Sequence, residues 1–410
     1  MKIAYIVPYV PNLIRTRPYN LITQLSSLGH DVTVFTLVTN EQDLTDVQTL
    51  KSKCVEVRHH FQPAWRSILN SAFAMPSNQP LQAVYSWQGG MARQLSKRVS
   101  QKEFDVIHVE HLRGSRYGLF LKSRFPSSPV VWDSVDCISH LFQQASTQSR
   151  SFFGKFITRF ELHRTEKAEG NLICAFDRVL VTSSADRNAL LKLTPAGKRP
   201  SQISVLPNGV DLDYFHPNPE IQRDPETILF SGKMSYHANI SMVRYLVADV
   251  MPRIWKSRPS ACLCIVGKDP PVDIRELEKD QRITVTGTVD DIRPYLWRAT
   301  VSVVPLLYGA GIQNKILEAM ATGTPVVTTS KALSALYAET GRELFVADTA
   351  DDFSQAVLEL LENRDLQWTI GGAGAFYVRS NHNWSSISAR LTDIYQQEIS
   401  HHTTRSLNTV

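Results

Sequence analysis

Short apolar runs recur along this chain at intervals that leave room for a helix between neighbours, and they do so in two successive series. The first covers residues 3–7, 32–37, 55–57, 106–109, 130–132, 179–182 and 203–206; the second covers 228–230, 262–266, 283–285, 301–305, 326–327 and 344–346. Runs this short and this apolar suit strands buried on both faces, and strands that alternate with helices call for parallel sheets covered on both sides. The opening shows the unit: apolar 3–7, then Tyr19, Leu21, Ile22, Leu25 and Leu28 at helical spacing, Gly29 as a stop, and the run 32–37. With 410 residues the chain is too long for one ordinary core. The turn-rich stretch PNGVDLDYFHPNPEIQRDPET divides the two series, with a linker expected at 216–226. The expected fold is therefore α/β: two tandem Rossmann-like doubly wound domains, 1–215 and 216–383, facing across a cleft. A helix over 384–400 and a disordered polar tail over 401–410 follow.

Charge is unevenly spread. Up to residue 215 there are 25 Lys/Arg against 17 Asp/Glu, and after it 19 against 22, so the halves carry +8 and −3 of the total +5. The basic half favours an anionic partner or surface. Nucleic acid is not expected, since no recognised nucleic-acid motif is present. Five cysteines without a C-x-x-C spacing point to a reducing compartment, and Cys262 and Cys264, alternating in an apolar run, read as buried structural thiols. No apolar run reaches the ~20 residues that span a bilayer. The N-terminal MKIAYIVPYVP lacks a small-residue cleavage site and reads as the first strand of a cytoplasmic protein.

The stretch 305–329, PLLYGAGIQNKILEAMATGTPVVTT, reads as strand, loop, helix and strand, with the helix starting near Gly311. A small-residue loop at a helix start offers amide donors and the positive end of the helix dipole to a phosphate. Lys315 and Glu318, three residues apart, share one helix face. Gly309 to Asn314 lacks the third glycine of a dinucleotide fingerprint, and residues 8–17 contain no glycine, so nicotinamide or flavin binding is not expected.

Over nearly its whole length the chain resembles the family 4 glycosyltransferases of the GT-B fold. The residues that carry the resemblance are LGHDVTVFT (28–36), PNGVDLDYF (207–215), LFSGKMSYHANI (229–240), CIVGKDP (264–270), VTGTVDDIRPYLWRATVSVVPL (285–306) and the stretch above, in this order and spacing. The variant GAGIQNKILEAMATGTPVV looks closest to a subgroup linked to bacterial exopolysaccharide assembly. The resemblance implies that Glu318, the second glutamate of the family's E-x7-E pattern, accepts the ribose hydroxyls of a nucleotide sugar, as suits a carboxylate facing a cis-diol. The first glutamate of the pattern falls on Ala310, a departure at the position that contacts the donor sugar. Lys233 matches the family's basic residue after the first strand of the second domain, where a cation neutralises the leaving diphosphate. The second basic residue meets Ala238 and Asn239 instead, and Lys315 is its candidate substitute. Gly309, Gly311, Ile312, Gln313 and Asn314, with Gly287 and Val289, complete the donor-binding set.

In the first half the family's glycine-rich loop is replaced by PYVPNLIRTRPYNL, whose Arg15 and Arg17 are candidates for an anionic acceptor or a phosphate, or else pair with a nearby carboxylate. Glu110, His111 and Arg113 end one apolar run, and Asp133, Asp136 and His140 follow another. Asp136 is a candidate to align the acceptor hydroxyl or a cap of the next helix; His111 is the candidate histidine in reach. Residues 151–167, SFFGKFITRFELHRTEK, interleave aromatic and basic residues at helical spacing, which suits either an anionic membrane surface or packing within the domain.

The expected activity is transfer of a sugar from a nucleoside-diphosphate sugar to a saccharide or lipid-linked acceptor, with retention and without metal or cofactor. Peripheral contact with an anionic membrane is a further expectation, as is a C-terminal helix from Trp384 that crosses back to the first domain. A nucleotide-sugar 2-epimerase, a non-catalytic sugar-nucleotide-binding subunit and a nucleotide-cofactor oxidoreductase stay open as alternatives.

Overall fold

The computed structural model describes residues 1–53, 56–148, 152–308, 313–333 and 336–407; for 144–148, 152–159 and 405–407 it describes the backbone alone. Two compact units emerge, one of Met1–Pro207 with Trp384–Val410, the other of Asn208–Asn383.

In the first unit every apolar run of the first series forms a strand: β1 (Lys2–Val7), β2 (Asp31–Val38), β3 (Glu56–Phe61), β4 (Val106–Glu110), β5 (Val130–Val135), β6 (Arg178–Val181) and β7 (Gln202–Val205). They pair in parallel in the order β3-β2-β1-β4-β5-β6-β7. Alternate residues of each strand feed opposite layers: Ala4 and Ile6 pack with Phe35, Ile107 and Trp132, while Ile3, Tyr5 and Val7 pack with Leu21, Val32 and Val131. The helix Trp384–Leu407 belongs to this unit, and its Trp384, Ile387, Leu391 and Tyr395 complete the second of these layers. It is further tied by Glu398, whose carboxylate accepts from buried Arg178 at 2.8 Å. The polar tail expected beyond residue 400 is thus helical as far as Leu407, because helix formation continues past the last core contact.

The second unit repeats the pattern with β8 (Thr227–Ser231), β9 (Cys262–Val266), β10 (Ile283–Gly287), β11 (Val301–Val304), β12 (Val326–Thr328) and β13 (Phe345–Val346), parallel in the order β10-β9-β8-β11-β12-β13. Its entry and exit are clasped together: Val210 N–H donates to His382 O at 2.8 Å, and the His382 ring meets Asn208 O at 2.7 Å. The chain therefore joins this unit at Asn208, ahead of the 216–226 linker read from the sequence, since Val210, Leu212 and Phe215 pack into its core. Cys262 stands exposed on β9, which corrects the expectation of a buried thiol; Cys264 is half-buried.

In both sheets the order of strand addition reverses beside the first strand, at β1/β4 in one and β8/β11 in the other. At such switch points the connecting loops part and leave a crevice beyond the carboxyl ends of the strands.

Candidate functional site

At the β8/β11 switch point the chain leaves β8 through Gly232 and Lys233. A Cβ on Gly267, at the end of β9, would fall 1.8 Å from Gly232 O, so the two backbones approach as only glycine permits. Their φ angles, +154° and +159°, and the bond from Gly232 N–H to Val266 O at 2.9 Å fix the shelf. Gly287, at φ +69°, continues it at the end of β10 by accepting from Gly267 N–H at 3.2 Å. Val289 follows, half-buried against the core.

On the other side of the crevice the helix Asn314–Ala321 follows β11. It begins three residues later than the start near Gly311 expected from the sequence, with Gln313 at its N-cap position. Gly309, Ala310, Gly311 and Ile312 lie outside the described residues. Ile316, Leu317, Ala319 and Met320 anchor the inner helix face in the core and leave Lys315 and Glu318 together on the other. The Lys315 ammonium donates to Asn239 Oδ1 at 2.6 Å and lies 4.8 Å from the centre of the Phe230 ring. Burial pushes Lys315 down to about 7, partly offset by Glu318, and pushes Glu318 up to about 7, partly offset by Lys315. No described residue donates a hydrogen bond to the Glu318 carboxylate. Lys233 extends into solvent, 4.0 Å from Asp269, and its carbonyl accepts from Asn239 Nδ2 at 2.8 Å. Asn239 thereby links the two lysines: its carbonyl oxygen takes the Lys315 ammonium and its amide holds the Lys233 backbone.

The β1/β4 switch point forms an open concavity of about 320 Å³ lined by Tyr9, Arg15, Arg17, Glu110, His111, Arg113 and Val135, among others. Four residues singled out in the sequence, Arg15, Arg17, Glu110 and His111, meet here. Arg17 is committed to the fold: it pairs with buried Asp133 at 2.8 Å and donates to Leu206 O at 3.1 Å. It is a post beneath the concavity, and the carboxylate-paired reading holds for it. Arg15 is exposed, donates to Val10 O at 3.0 Å and lies over the Tyr9 ring. Glu110 accepts from Tyr5 at 3.0 Å and Tyr9 at 3.4 Å, and burial raises its pKa. His111, at φ +61°, accepts from Arg113 N–H at 3.3 Å through Nδ1. Burial, reinforced by Arg113, pushes it down to about 4, so its ring is neutral at neutral pH. Val135, across from it, carries φ +68° at a register shift in β5. A positive φ on a non-glycine residue persists only where its surroundings impose it, most of all on the β-branched Val135, and two such residues border this one concavity.

Asp136 is absent from the residues that line the concavity. Its carboxylate accepts from Thr182 at 3.1 Å, and burial raises it to about 7. Nor does it cap the next helix, whose first amides are taken by Glu169, from Ile138 N–H at 2.7 Å and Ser139 N–H at 3.1 Å.

Sequence reading missed the network below the concavity. His108 stacks on Tyr5, accepts or donates at Nδ1 with Tyr395 at 2.7 Å, and faces Glu110 and Asp133 at 3.6 and 3.8 Å. His108, Glu110 and Asp133 are close enough to share a cation. Tyr395 engages His108 Nδ1, Tyr5 and Tyr9 engage Glu110, and Arg17 engages Asp133, while His108 Nε2, which faces both carboxylates, is buried without a hydrogen-bond partner among the described residues. The cluster's one sequence signal was the polar His108 inside an apolar run. A larger hollow of about 560 Å³ lies in the second unit, lined by Pro225, Thr300, Arg223 and Trp368. It opens by the amino ends of β8 and β11, opposite the switch point, and Arg223 there is tied to Ala299 O at 3.0 Å.

Residues 15–214 match the family described as Glycosyltransferase Family 4, and residues 225–363 match Glycosyl transferases group 1. Among curated relatives, a GDP-mannose-dependent alpha-(1-6)-phosphatidylinositol monomannoside mannosyltransferase of Mycobacterium tuberculosis is 28% identical over 218 residues, 47% of this chain and 55% of the relative. The chain thus spans about half the length of that relative. An MMP alpha-(1->4)-mannosyltransferase of Mycolicibacterium hassiacum is 23% identical over 400 residues, 93% of each chain. Among solved structures, Anabaena HepE in complex with UDP-glucose superposes with a TM-score of 0.67 at 14% identity, covering 97% of this chain and 100% of the other. Sucrose-phosphate synthase of Thermosynechococcus elongatus gives 0.66 at 18% identity, covering 98% and 100%. At these identities the structural likeness establishes the fold.

Proposed function

The chain belongs to glycosyltransferase family 4, and from that premise we propose that it transfers a sugar from a nucleoside-diphosphate sugar to a saccharide or lipid-linked acceptor. The observation that carries this reading is the meeting of Lys315 with Asn239 beside the Gly232–Gly267 shelf. Position 239 is where the family resemblance expects a second cation, and Lys315 brings one there from a different helix.

In this reading Lys233 and Lys315 neutralise the diphosphate, the shelf lets it approach the backbone, and Glu318 accepts the ribose hydroxyls. Gly287 and Val289 lie beside the base, and Gln313 and Asn314 meet the sugar side, with Gly309, Gly311 and Ile312 contributing amides. The bond from the anomeric carbon to the diphosphate oxygen breaks as the acceptor oxygen bonds to that carbon on the same face. The acceptor proton passes to the departing diphosphate, so retention needs no separate protein base. The protein contributes positioning and electrostatics, without metal or cofactor. In the first unit Arg15, Glu110 and the neutral His111 would orient the acceptor, with Arg17 and Asp133 holding them from below; the geometry gives Asp136 no direct part.

No helix among the described residues is long and apolar enough to cross a membrane. A lipid-linked acceptor, an exopolysaccharide role and peripheral attachment at the inner membrane face belong to the proposal; the Mycobacterium tuberculosis relative acts on a phosphatidylinositol monomannoside by its description, which supports a lipid-linked acceptor. Of the aromatic, basic segment 151–167, the side chains of 152–159 lie outside the described residues. Incubation with UDP-, GDP-, ADP- and dTDP-sugars, with and without lipid-linked acceptor, tests it. Acceptor-dependent nucleotide release with sugar transfer is expected. Interconversion of the donor without acceptor would make it an epimerase, and stabilisation by donor without turnover a binding subunit.

A further inference from the structure

Glu110 lines the acceptor-side concavity, yet its residue is only 1% exposed. Around it His108 on the same strand, Asp133 on β5 and Tyr395 on the helix Trp384–Leu407 are fully buried. A carboxylate withdrawn from water needs a cation or several donors. Asp133 has its own: Oδ2 takes Arg17 at 2.8 and 2.9 Å, and Oδ1 takes Val135 N–H at 3.1 Å. Glu110 has two phenol donors, Tyr5 on Oε2 at 3.0 Å and Tyr9 on Oε1 at 3.4 Å, and among the described residues it pairs with no lysine or arginine. What remains is the His108 imidazole. Its Nε2 lies 3.6 Å from Glu110 Oε2 and 3.8 Å from Asp133 Oδ2, and it has no hydrogen-bond partner among the described residues.

The ring is held in this direction. Tyr5 stacks on it with centroids 4.1 Å apart, and Tyr395 meets it edge-on with its hydroxyl 2.7 Å from Nδ1. Burial, reinforced by Asp133 and Glu110, keeps the Tyr395 phenol protonated, and a phenol shut away from water donates to the acceptor at hand. With Nδ1 accepting, the neutral ring carries its proton on Nε2, aimed between the two carboxylates. A metal ion suits the gap less well, because Asp133 Oδ2, one of the oxygens it would take, already bears the Arg17 guanidinium. Tyr395 also stands apart on its own helix. Trp384, Ile387 and Leu391 share its buried face, and a phenylalanine would fill the position without bringing a hydroxyl into the core.

We propose that Tyr395 and His108 are positioning residues of the acceptor side: Tyr395 fixes the His108 tautomer, and the Nε2–H so presented keeps the Glu110 carboxylate ionised and turned toward the acceptor hydroxyl. The proposal rests on the acceptor role given to Glu110 above. Ionised Glu110 accepts a hydrogen bond from that hydroxyl, whereas protonated Glu110 would offer it a donor. The groups that set its charge come from every element around it: Tyr5 on β1 and Tyr9 in the loop after it, Arg17 on the helix Thr16–Ser27, His108, His111 and Arg113 on and after β4, Asp133 on β5, and Tyr395. Burial, followed by Asp133, favours the protonated carboxyl, and His108 is the largest influence the other way. Removing the Nε2–H therefore raises the pKa of Glu110 and moves the acid limb of transfer to higher pH.

Acceptor-dependent transfer is measured against pH for wild type, Tyr395→Phe and His108→Gln, and for both changes in a Glu110→Gln background. Each single variant is expected to lower kcat/KM for the acceptor roughly tenfold or more at pH 7, with donor binding unchanged and the acid limb displaced upward by about one pH unit. In the Glu110→Gln background neither change should add to the loss. Tyr395→Phe keeps the packing and carries the test if His108→Gln does not fold. Additive losses, or equal losses in donor binding, overturn the positioning role and leave a structural tie. Nitrogen NMR of histidine-labelled wild type is expected to show the His108 proton on Nε2, and a proton on Nδ1 overturns the assignment. A zinc ion bound one-to-one by wild type and not by His108→Gln makes the cluster a metal site and equally overturns it. Absence of transfer by wild type overturns the transfer reading and the acceptor role with it, whereas transfer with additive losses overturns the positioning pair alone.

Discussion

Replacing Lys315 by Met removes the charge and keeps the length of the side chain. A cation about 4 Å from one unit of diphosphate charge is worth about 4 kcal/mol at an effective dielectric of about 20. Because burial holds the free lysine at about 7, protonating it for binding costs little at pH 7 and about 1.4 kcal/mol for each pH unit above. Lys315→Met is therefore expected to weaken UDP or GDP binding by roughly 2 to 4 kcal/mol at pH 7, or about 30- to 1,000-fold. The sign of the pH dependence follows. A diphosphate stabilises the charged lysine and raises its pKa in the complex, so binding takes up a proton above pH 7 and affinity falls by up to about tenfold per unit from there. The terminal phosphate itself titrates at ~6 and buried Glu318 at about 7, so over a pH window of 7 to 9 the lysine's share is read as the difference in slope between wild type and its variants. Titration calorimetry with UDP and GDP across that window, on wild type, Lys315→Met and Lys315→Arg, separates the contributions. The arginine stays charged throughout, so its variant should lose the wild-type slope. Wild-type affinity in Lys315→Met, or an identical slope in all three proteins, would refute the assignment of Lys315 as the diphosphate cation.

Glu318→Gln should lower affinity for the nucleotide about 10- to 100-fold, as loss of charged hydrogen bonds to the ribose predicts, and leave inorganic pyrophosphate binding nearly unchanged; parallel losses for both ligands would remove Glu318 from the ribose. Lys233→Ala, which alters an exposed cation near the leaving group, should depress single-turnover transfer more than donor binding, and equal effects on both would argue for uniform binding instead. Gly267→Ala drives a Cβ into Gly232 O and should cost about 1 to 3 kcal/mol or more, seen as a lower melting temperature and lost nucleotide binding; an unaltered melt would mean that the shelf can yield. Asp133→Ala leaves the Arg17 charge buried without its partner and should cost about 3 to 5 kcal/mol in urea unfolding, a loss that would be absent if the pair were dispensable.

How far the site was legible varied from one residue to the next. Lys233, Gly287 and Glu318 are set by local order: each follows a strand or lies on a helix whose start and stop are written nearby, so motif and position coincide. Arg17 reads from the sequence as a cation at the mouth of the sheet. Only the placement of β5 beside β4, which delivers Asp133 to it, turns that cation into a buried ion pair. Asp136 illustrates the converse: it follows a register shift in β5, and its carboxylate is taken by Thr182 while Val135 lines the concavity.

By itself the sequence determined the two series of strands, their parallel packing and the division of the chain into two units, because hydrophobic period and helix stops are local properties. Tertiary structure alone decided which distant side chains share a site. Lys315 meets Asn239 across 76 positions of chain, and Arg17 meets Asp133 across 116, and both distances are set by strand order. The outward apolar face of the Ala64–Ala74 helix, where Trp65, Ile68 and Phe73 are exposed, belongs to the same class. An amphipathic pattern states that a helix has two faces, and only the packing of its neighbours determines which one is turned to water.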